Sequence, residues 1–247
     1  MGADNNYQLE VIAVDSGLLI DTQFINVTVT NVEEDGDGDG DGGQNLVGTG
    51  QSDTLRGGAG NDTIEGLGAG DLLIGARGND LLYGGAGNDT LRGGRGDDEL
   101  RGGNGKDELF GGQDNDTLLG FVNQDTLYGG AGNDLLDGGG ADDMLFGNGG
   151  DDTLIGGAAN DTLFGGRGNN VINGGNGQDT FVLIRNSSDL IEDFETGRDT
   201  IELSNGLSFG DLNFSGEQII FARTGETIAT LSGVDTTSLS ESDFTSV

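Results

Sequence analysis

At 247 residues, with 52 glycines, no proline and no cysteine, the chain is neither collagen, which needs abundant proline, nor a disulfide or thiolate-metal scaffold. Ten Lys and Arg against 44 Asp and Glu give a formal net charge of -34, which repels nucleic acid and anionic membrane surfaces and favours cations as partners. No apolar run approaches the roughly 18 residues of a spanning helix, so no membrane insertion is expected.

Residues 1–34 differ from all that follows. YQLEVIAVD at 7–15 and DTQFINVTVTNV at 21–32 are β-branched and partly alternating, which predicts two strands. A lone hairpin is marginal, so this segment reads as the end of a larger β-sandwich. Ala13-Val14-Asp15-Ser16-Gly17 resembles the A-x-D-x-G part of a cadherin-like calcium motif, without its usual proline, and implies a cadherin-like remnant. Met1-Gly2-Ala3 leads into polar residues, so any export address is expected elsewhere or upstream. Residues 35–47 then carry DGDGDGDGG at 35–43. Asp35, Asp37, Asp39 and Gly40 imitate the start of an EF-hand loop, but its twelfth position is Leu46, where a bidentate Glu is needed. A flexible acidic linker with loose cation affinity is expected there.

From Gly48 to Val182 the chain divides into fifteen nine-residue units with no insertion or deletion. GGAGNDTLR at 84–92 shows the pattern G-G-x-G-x-D-x-U-x, where U is apolar. The sixth position is Asp in fourteen units and Asn170 in the other; the eighth is always Leu, Ile or Phe. Positions seven to nine predict a short strand, and the first six a turn whose glycines take φ > 0 and pack closely on the next coil. Two units then close one coil, with two parallel sheets facing each other across the U side chains.

Coils stack at about 4.8 Å, so Asp side chains two units apart nearly overlie one another. One row holds Asp53, Asp71, Asp89, Asp107, Asp125, Asp143, Asp161 and Asp179. The other holds Asp62, Asp80, Asp98, Asp116, Asp134 and Asp152, then Asn170. Two like charges about 5 Å apart repel by roughly 3 kcal/mol at an effective dielectric of 20. Hard oxygen ligands suit Ca²⁺, whereas Mg²⁺ wants tighter octahedral geometry. Of the thirteen pairs separated by one full coil, twelve have Asp at both ends. Thirteen Ca²⁺ would offset 26 of the 34 net negative charges.

These units resemble the RTX, or haemolysin-type, calcium-binding repeats over 135 of the 247 residues. The resemblance implies an all-β fold, a right-handed parallel β-roll with Ca²⁺ between successive turns, up to about 12–13 ions in all. It implies as ligands the position-six carboxylates above and backbone carbonyls of glycines such as Gly58, Gly60, Gly85, Gly87, Gly94, Gly96, Gly103, Gly105, Gly130 and Gly132. GFVNQD at 120–125 loses two of its three glycines; GLGAGD, GGQDND, GGGADD and GGAAND depart at the fourth position. Weaker sites are expected at those turns.

Residues 183–247 lose the glycines and regain Phe, Ile and Leu, which predicts an irregular β segment capping the roll's apolar end. Asp189 to Leu203 resembles the D-x-I-x-D-F-x-x-G-x-D-x-I-x-L segment that follows such rolls. Asp243-Phe244-Thr245-Ser246-Val247 resembles an uncleaved type I secretion signal, and equally reads as a last edge strand. The leading reading is therefore a secreted, extracellular calcium-binding module. An enzyme is not expected, because the chain has no His for a zinc protease motif or a Ser-His-Asp triad. A pore-forming toxin lacks its apolar inserting region. The alternative is an adhesin or surface-layer component. Position nine faces outward, and Phe110, Tyr128, Phe146 and Phe164 form an aromatic stripe suited to self-association or to contact with the cap.

Overall fold

The computed structural model describes residues 42–246. The hairpin expected at 7–15 and 21–32, the cadherin-like motif, the Asp35–Asp39 run and Val247 lie outside these residues.

Strands alternate between two sheets. In chain order they are β1 (Asn45–Val47), β2 (Thr54–Gly58), β3 (Thr63–Gly68), β4 (Leu72–Arg77), β5 (Leu81–Ala86), β6 (Thr90–Arg95), β7 (Glu99–Asn104), β8 (Glu108–Gln113), β9 (Thr117–Val122), β10 (Thr126–Ala131), β11 (Leu135–Gly140), β12 (Met144–Gly149), β13 (Thr153–Ala158), β14 (Thr162–Arg167), β15 (Val171–Asn176) and β16 (Thr180–Leu183). Odd strands build sheet one and even strands sheet two, so each coil contributes one strand to each. Every neighbouring pair among them is parallel, with each residue facing its counterpart two units further on: Leu82 faces Leu100 and Tyr128 faces Phe146. The result is the two-sheet parallel β-solenoid that the period predicts.

Within the roll the core is one file of side chains, which cap residues such as Ile191, Ile201, Ile219 and Phe244 continue. Position eight, from Ile64 to Phe181, is fully buried in all fourteen units that follow the first. Each such aliphatic side chain contributes about 1.5–3 kcal/mol of burial. Because the residue period within a strand is two, positions six, eight and one of the next unit all point inward.

One expectation about the unit changes. The strands run six residues rather than three, through positions seven to nine and on into one to three of the next unit. Parallel pairing persists into the Gly-Gly pair because successive coils are stacked in register there; Gly85 pairs with Gly103 and Gly112 with Gly130. Only positions four to six turn the chain.

The cap extends both sheets along the axis. β17 (Asp189–Ile191) follows β15 and β18 (Thr200–Leu203) follows β16, with the coil lengthened by one residue at the first and by two at the second. β19 (Leu212–Ser215), β20 (Gln218–Phe221) and β21 (Glu226–Leu231) then close sheet one as an antiparallel edge, while β22 (Phe244–Ser246) closes sheet two. Since these strands add to the sheet ends, the aromatic stripe stays on the outer face of sheet two. Phe110 stacks on Tyr128 and Tyr128 on Phe146 at 4.9 Å, and Phe146 meets Phe164 edge-on at 6.3 Å. Arg92 continues the stack over Phe110.

The coil imposes its backbone even where glycine is missing. Leu67 (φ 77°) and Phe121 (φ 78°) at position two, and Ala69, Asp114, Asn123, Ala141 and Ala159 at position four, all take the left-handed conformation of the glycines they replace. For a residue such as Phe this costs about 1–2 kcal/mol. Phe121 is also 46% exposed, so its ring returns little of that cost. Phe121→Gly is therefore expected to stabilise the folded chain by about 1 kcal/mol, read from urea unfolding in saturating calcium; a lower midpoint would contradict this account of the turn.

Candidate functional site

The position-six carboxylates lie inside the roll, at the corners where the turns re-enter the strands. Each is held by a backbone bond to the neighbouring coil. The Asp53 N–H donates to Asp71 Oδ1 at 2.8 Å, and the same bond joins Asp116 to Asp134 and Asp161 to Asp179 at 2.8 and 2.9 Å. One oxygen of each carboxylate is thereby fixed. The other is orphaned. Oδ2 of Asp62, Asp71, Asp80, Asp89, Asp98, Asp107, Asp116, Asp125, Asp134, Asp143, Asp152, Asp161 and Asp179 is buried with no hydrogen-bond partner. These residues are at most 4% exposed. Buried polar atoms are otherwise almost always satisfied, and an unsatisfied charged one is the costliest kind.

Two ends of the rows differ. Asp53, half-buried in the first coil, has its Oδ2 taken by the Thr49 N–H and hydroxyl at 2.6 and 2.9 Å. At the other end Asn170 accepts from the Asp152 N–H and donates its amide to Asp189 Oδ1 at 2.7 Å. The Asp179 N–H donates to Asp199 Oδ1. Asp189 and Asp199 thus continue the two rows into the cap. Counting in nines misses them because the register has slipped, but Asp189-Leu190-Ile191 and Asp199-Thr200-Ile201 keep the D-x-U signature of positions six to eight.

The first glycine of each unit has a role that the expected positive φ does not explain. Its φ is not positive. A Cβ at Gly138 would lie 2.6 Å from Asp143 Oδ2 and 2.8 Å from the Gly156 carbonyl of the next coil. Gly120 has the same two kinds of oxygen overhead, Asp125 Oδ2 at 2.6 Å and the Gly138 carbonyl at 2.7 Å. Position one is Gly in all fifteen units because the carboxylate occupies the space a side chain would need. The ten glycines expected to offer carbonyls, from Gly58 to Gly132, sit at positions two and four with φ between 95° and 137°.

A second ladder runs the other way on the surface. In the Asp62 row, the position-five side chains Asn61, Asn79, Asp97, Asn115, Asn133 and Asp151 each accept from the N–H of the equivalent residue one coil further on. The recurring Asn or Asp before the invariant position was the signal for it. In the Asp53 row this ladder is interrupted at Lys106, whose ammonium instead bonds Gln124.

Burial pushes Asp98 and Asp161 up to about 7 and Asp116 and Asp125 up to about 8, with the stacked carboxylates adding to the shift and the ladder N–H opposing it. Asp80, Asp107, Asp143 and Asp152 rise to about 6 for the same leading reason. Among the described residues, no point gathers three or more acidic side chains. A cation held here would need backbone carbonyls beside the carboxylates, the donor set of a hard ion. The orphaned oxygens fit such an ion.

The sequence profile of the RTX calcium-binding nonapeptide repeat matches in six stretches that together run without a gap from residue 38 to residue 181. The chain belongs to the RTX calcium-binding nonapeptide-repeat family. No curated protein sequence matches it. Among solved structures, the extracellular lipase LipA from Serratia marcescens is similar over 82% of this chain and 40% of the lipase, with 16% identity and a TM-score of 0.34. The chain thus spans less than half the length of that lipase. RTX repeats bind Ca²⁺.

The carboxyl shifts set a pH dependence. A carboxyl whose pKa is higher folded than unfolded stabilises the metal-free fold at low pH, and that contribution is lost as pH rises through the folded pKa. The window here runs from the ordinary carboxylate range up to about 8. In calcium-depleted buffer, far-UV circular dichroism is expected to show more β structure at pH 5 than at pH 8. The reverse order, or no change, would contradict the burial of these groups.

Proposed function

We propose that this chain is a secreted calcium-binding β-roll module that folds when Ca²⁺ enters between successive Gly-rich turns. It forms the C-terminal part of a larger protein exported by a type I route. The observation that carries this reading is the set of thirteen buried carboxylate oxygens without a partner. Asp62 to Asp161 and Asp179 would hold the ions, with Asp53 contributing at the first coil. Carbonyls of glycines such as Gly85, Gly87, Gly103 and Gly105 complete the shell, for about 12–13 sites.

Folding follows from linkage. An ion that binds the rows only when they are assembled stabilises the folded state by RT ln(1 + [L]/Kd) per site. Calcium is scarce in cytoplasm and plentiful outside cells, so the chain leaves unfolded and folds after export. The family match and the absence of cysteine agree with that sequence of events. The terminal segment fits too. In the folded protein Asp243 is tied to the Ser240 N–H and hydroxyl, and Phe244 to Ser246 form the last strand of sheet two. A secretion signal there is legible only before folding.

Far-UV circular dichroism and light scattering in excess chelator and in millimolar calcium test the proposal. The chelated chain at neutral pH is expected to be expanded and without β signal, and calcium is expected to restore both cooperatively. Full β structure in chelator at neutral pH would refute it.

A further inference from the structure

Three of the ten basic residues of this acidic chain meet at one cleft. Arg167, Arg185 and Arg223 line it, beside Asn186, Asn205 and Thr224, above a floor of Ile184 and Phe221. Arg167 ends β14, Arg185 follows β16, and Arg223 lies just beyond β20, so the cleft sits where the roll passes into its cap. Arg185 donates to the Asn205 carbonyl at 3.2 Å and its guanidinium lies 5.9 Å from the Phe221 ring centre. Among the described residues, none of the three arginines is within ion-pair distance of an acidic side chain; the pairs formed involve Arg101 and Arg198. Glu226 lines the cleft without pairing. Asp211 stands near, its carboxyl held low first by Ser208 and then by Arg223 and Arg185.

In a chain of net charge -34, three arginines that line one cleft without an ion pair to its Glu226 leave positive charge open to an outside anion. Two side-chain amides, those of Asn186 and Asn205, also rim this cleft. The cleft is an open one of about 780 Å³, more than one inorganic ion fills. Guanidinium forks suit sulfate or carboxylate, and amide and hydroxyl groups suit sugar hydroxyls.

We propose that this cleft binds an anionic saccharide, with its sulfate or carboxylate groups on Arg167, Arg185 and Arg223. The site belongs to the cap junction and does not depend on how many ions the rows hold.

Calorimetric titration of the calcium-saturated full chain tests this, using a chondroitin sulfate tetrasaccharide, a trigalacturonate, inorganic sulfate and uncharged cellotetraose. At least one of the two anionic saccharides is expected to bind, and which one does assigns sulfate or carboxylate as the source of the anion. Inorganic sulfate is expected to compete only weakly, and cellotetraose not to bind. R185Q is expected to weaken binding about tenfold or more, the usual loss for a hydrogen-bonded charge. R77Q/R95Q removes another pair of stacked arginines, on β4 and β6, and is expected to leave binding unchanged. Circular dichroism in calcium checks that each variant is folded. No binding of either anionic saccharide, or equal loss in R77Q/R95Q, overturns the proposal. So does a cleft variant that changes only the oligomeric mass, because the occupant would then be another copy of the chain.

Discussion

A carboxylate taken out of water needs a counter-charge, and this fold buries a column of them on each side. Neighbours in a column are one strand spacing apart, close to about 4.8 Å. At about 3 kcal/mol per contact and an effective dielectric of 20, a dozen such contacts exceed the roughly 5–15 kcal/mol by which folded domains are stable. The Leu file between the sheets cannot absorb that alone, because its burial also has to offset the ordering of a glycine-rich backbone. Proton uptake relieves part of this cost at low pH, because burial first and the stacked charges after it lift Asp116 and Asp125 to about 8. At neutral pH and above, cations are the remaining route. On the function proposed above, fold and ion are two descriptions of one equilibrium.

Much of this is legible in the chain because a solenoid maps sequence distance directly onto space. A period of nine places Asp six and Leu eight on the inward face, and the doubled period stacks them. The legible part ends where side-chain identity carries two jobs. Glycine at position one reads as conformational freedom, yet Gly138 is needed for the room that Asp143 occupies. The strand limits are hidden for a related reason: glycine has low strand preference, but stacked coils pair it regardless. Asp189 and Asp199 escape a count in nines because the cap inserts one and two residues, although their local D-x-U pattern survives.

Asn170 shows how such a column can end. Its amide nitrogen bonds Asp189, so that step joins a neutral side chain to a carboxylate instead of two carboxylates. Asp189 still rises to about 7 through burial, with Asn170 and Ser187 opposing the shift. Asp53 ends its column at the other pole by turning its free oxygen to Thr49. The interior steps have no such donor. The cost is concentrated in the carboxylates without such a donor, and the departures at Leu67 and Phe121 mark coils that keep the same backbone at the expense of strain.

Anomalous diffraction from a crystal grown in calcium decides whether the orphaned oxygens face cations. Two lines of ion peaks are expected, one along each Asp row, repeating at the strand spacing and bonded to the Oδ2 atoms from Asp62 to Asp179. Peaks confined to the outer Asn and Asp ladder, with the Oδ2 atoms still unpartnered, would contradict it.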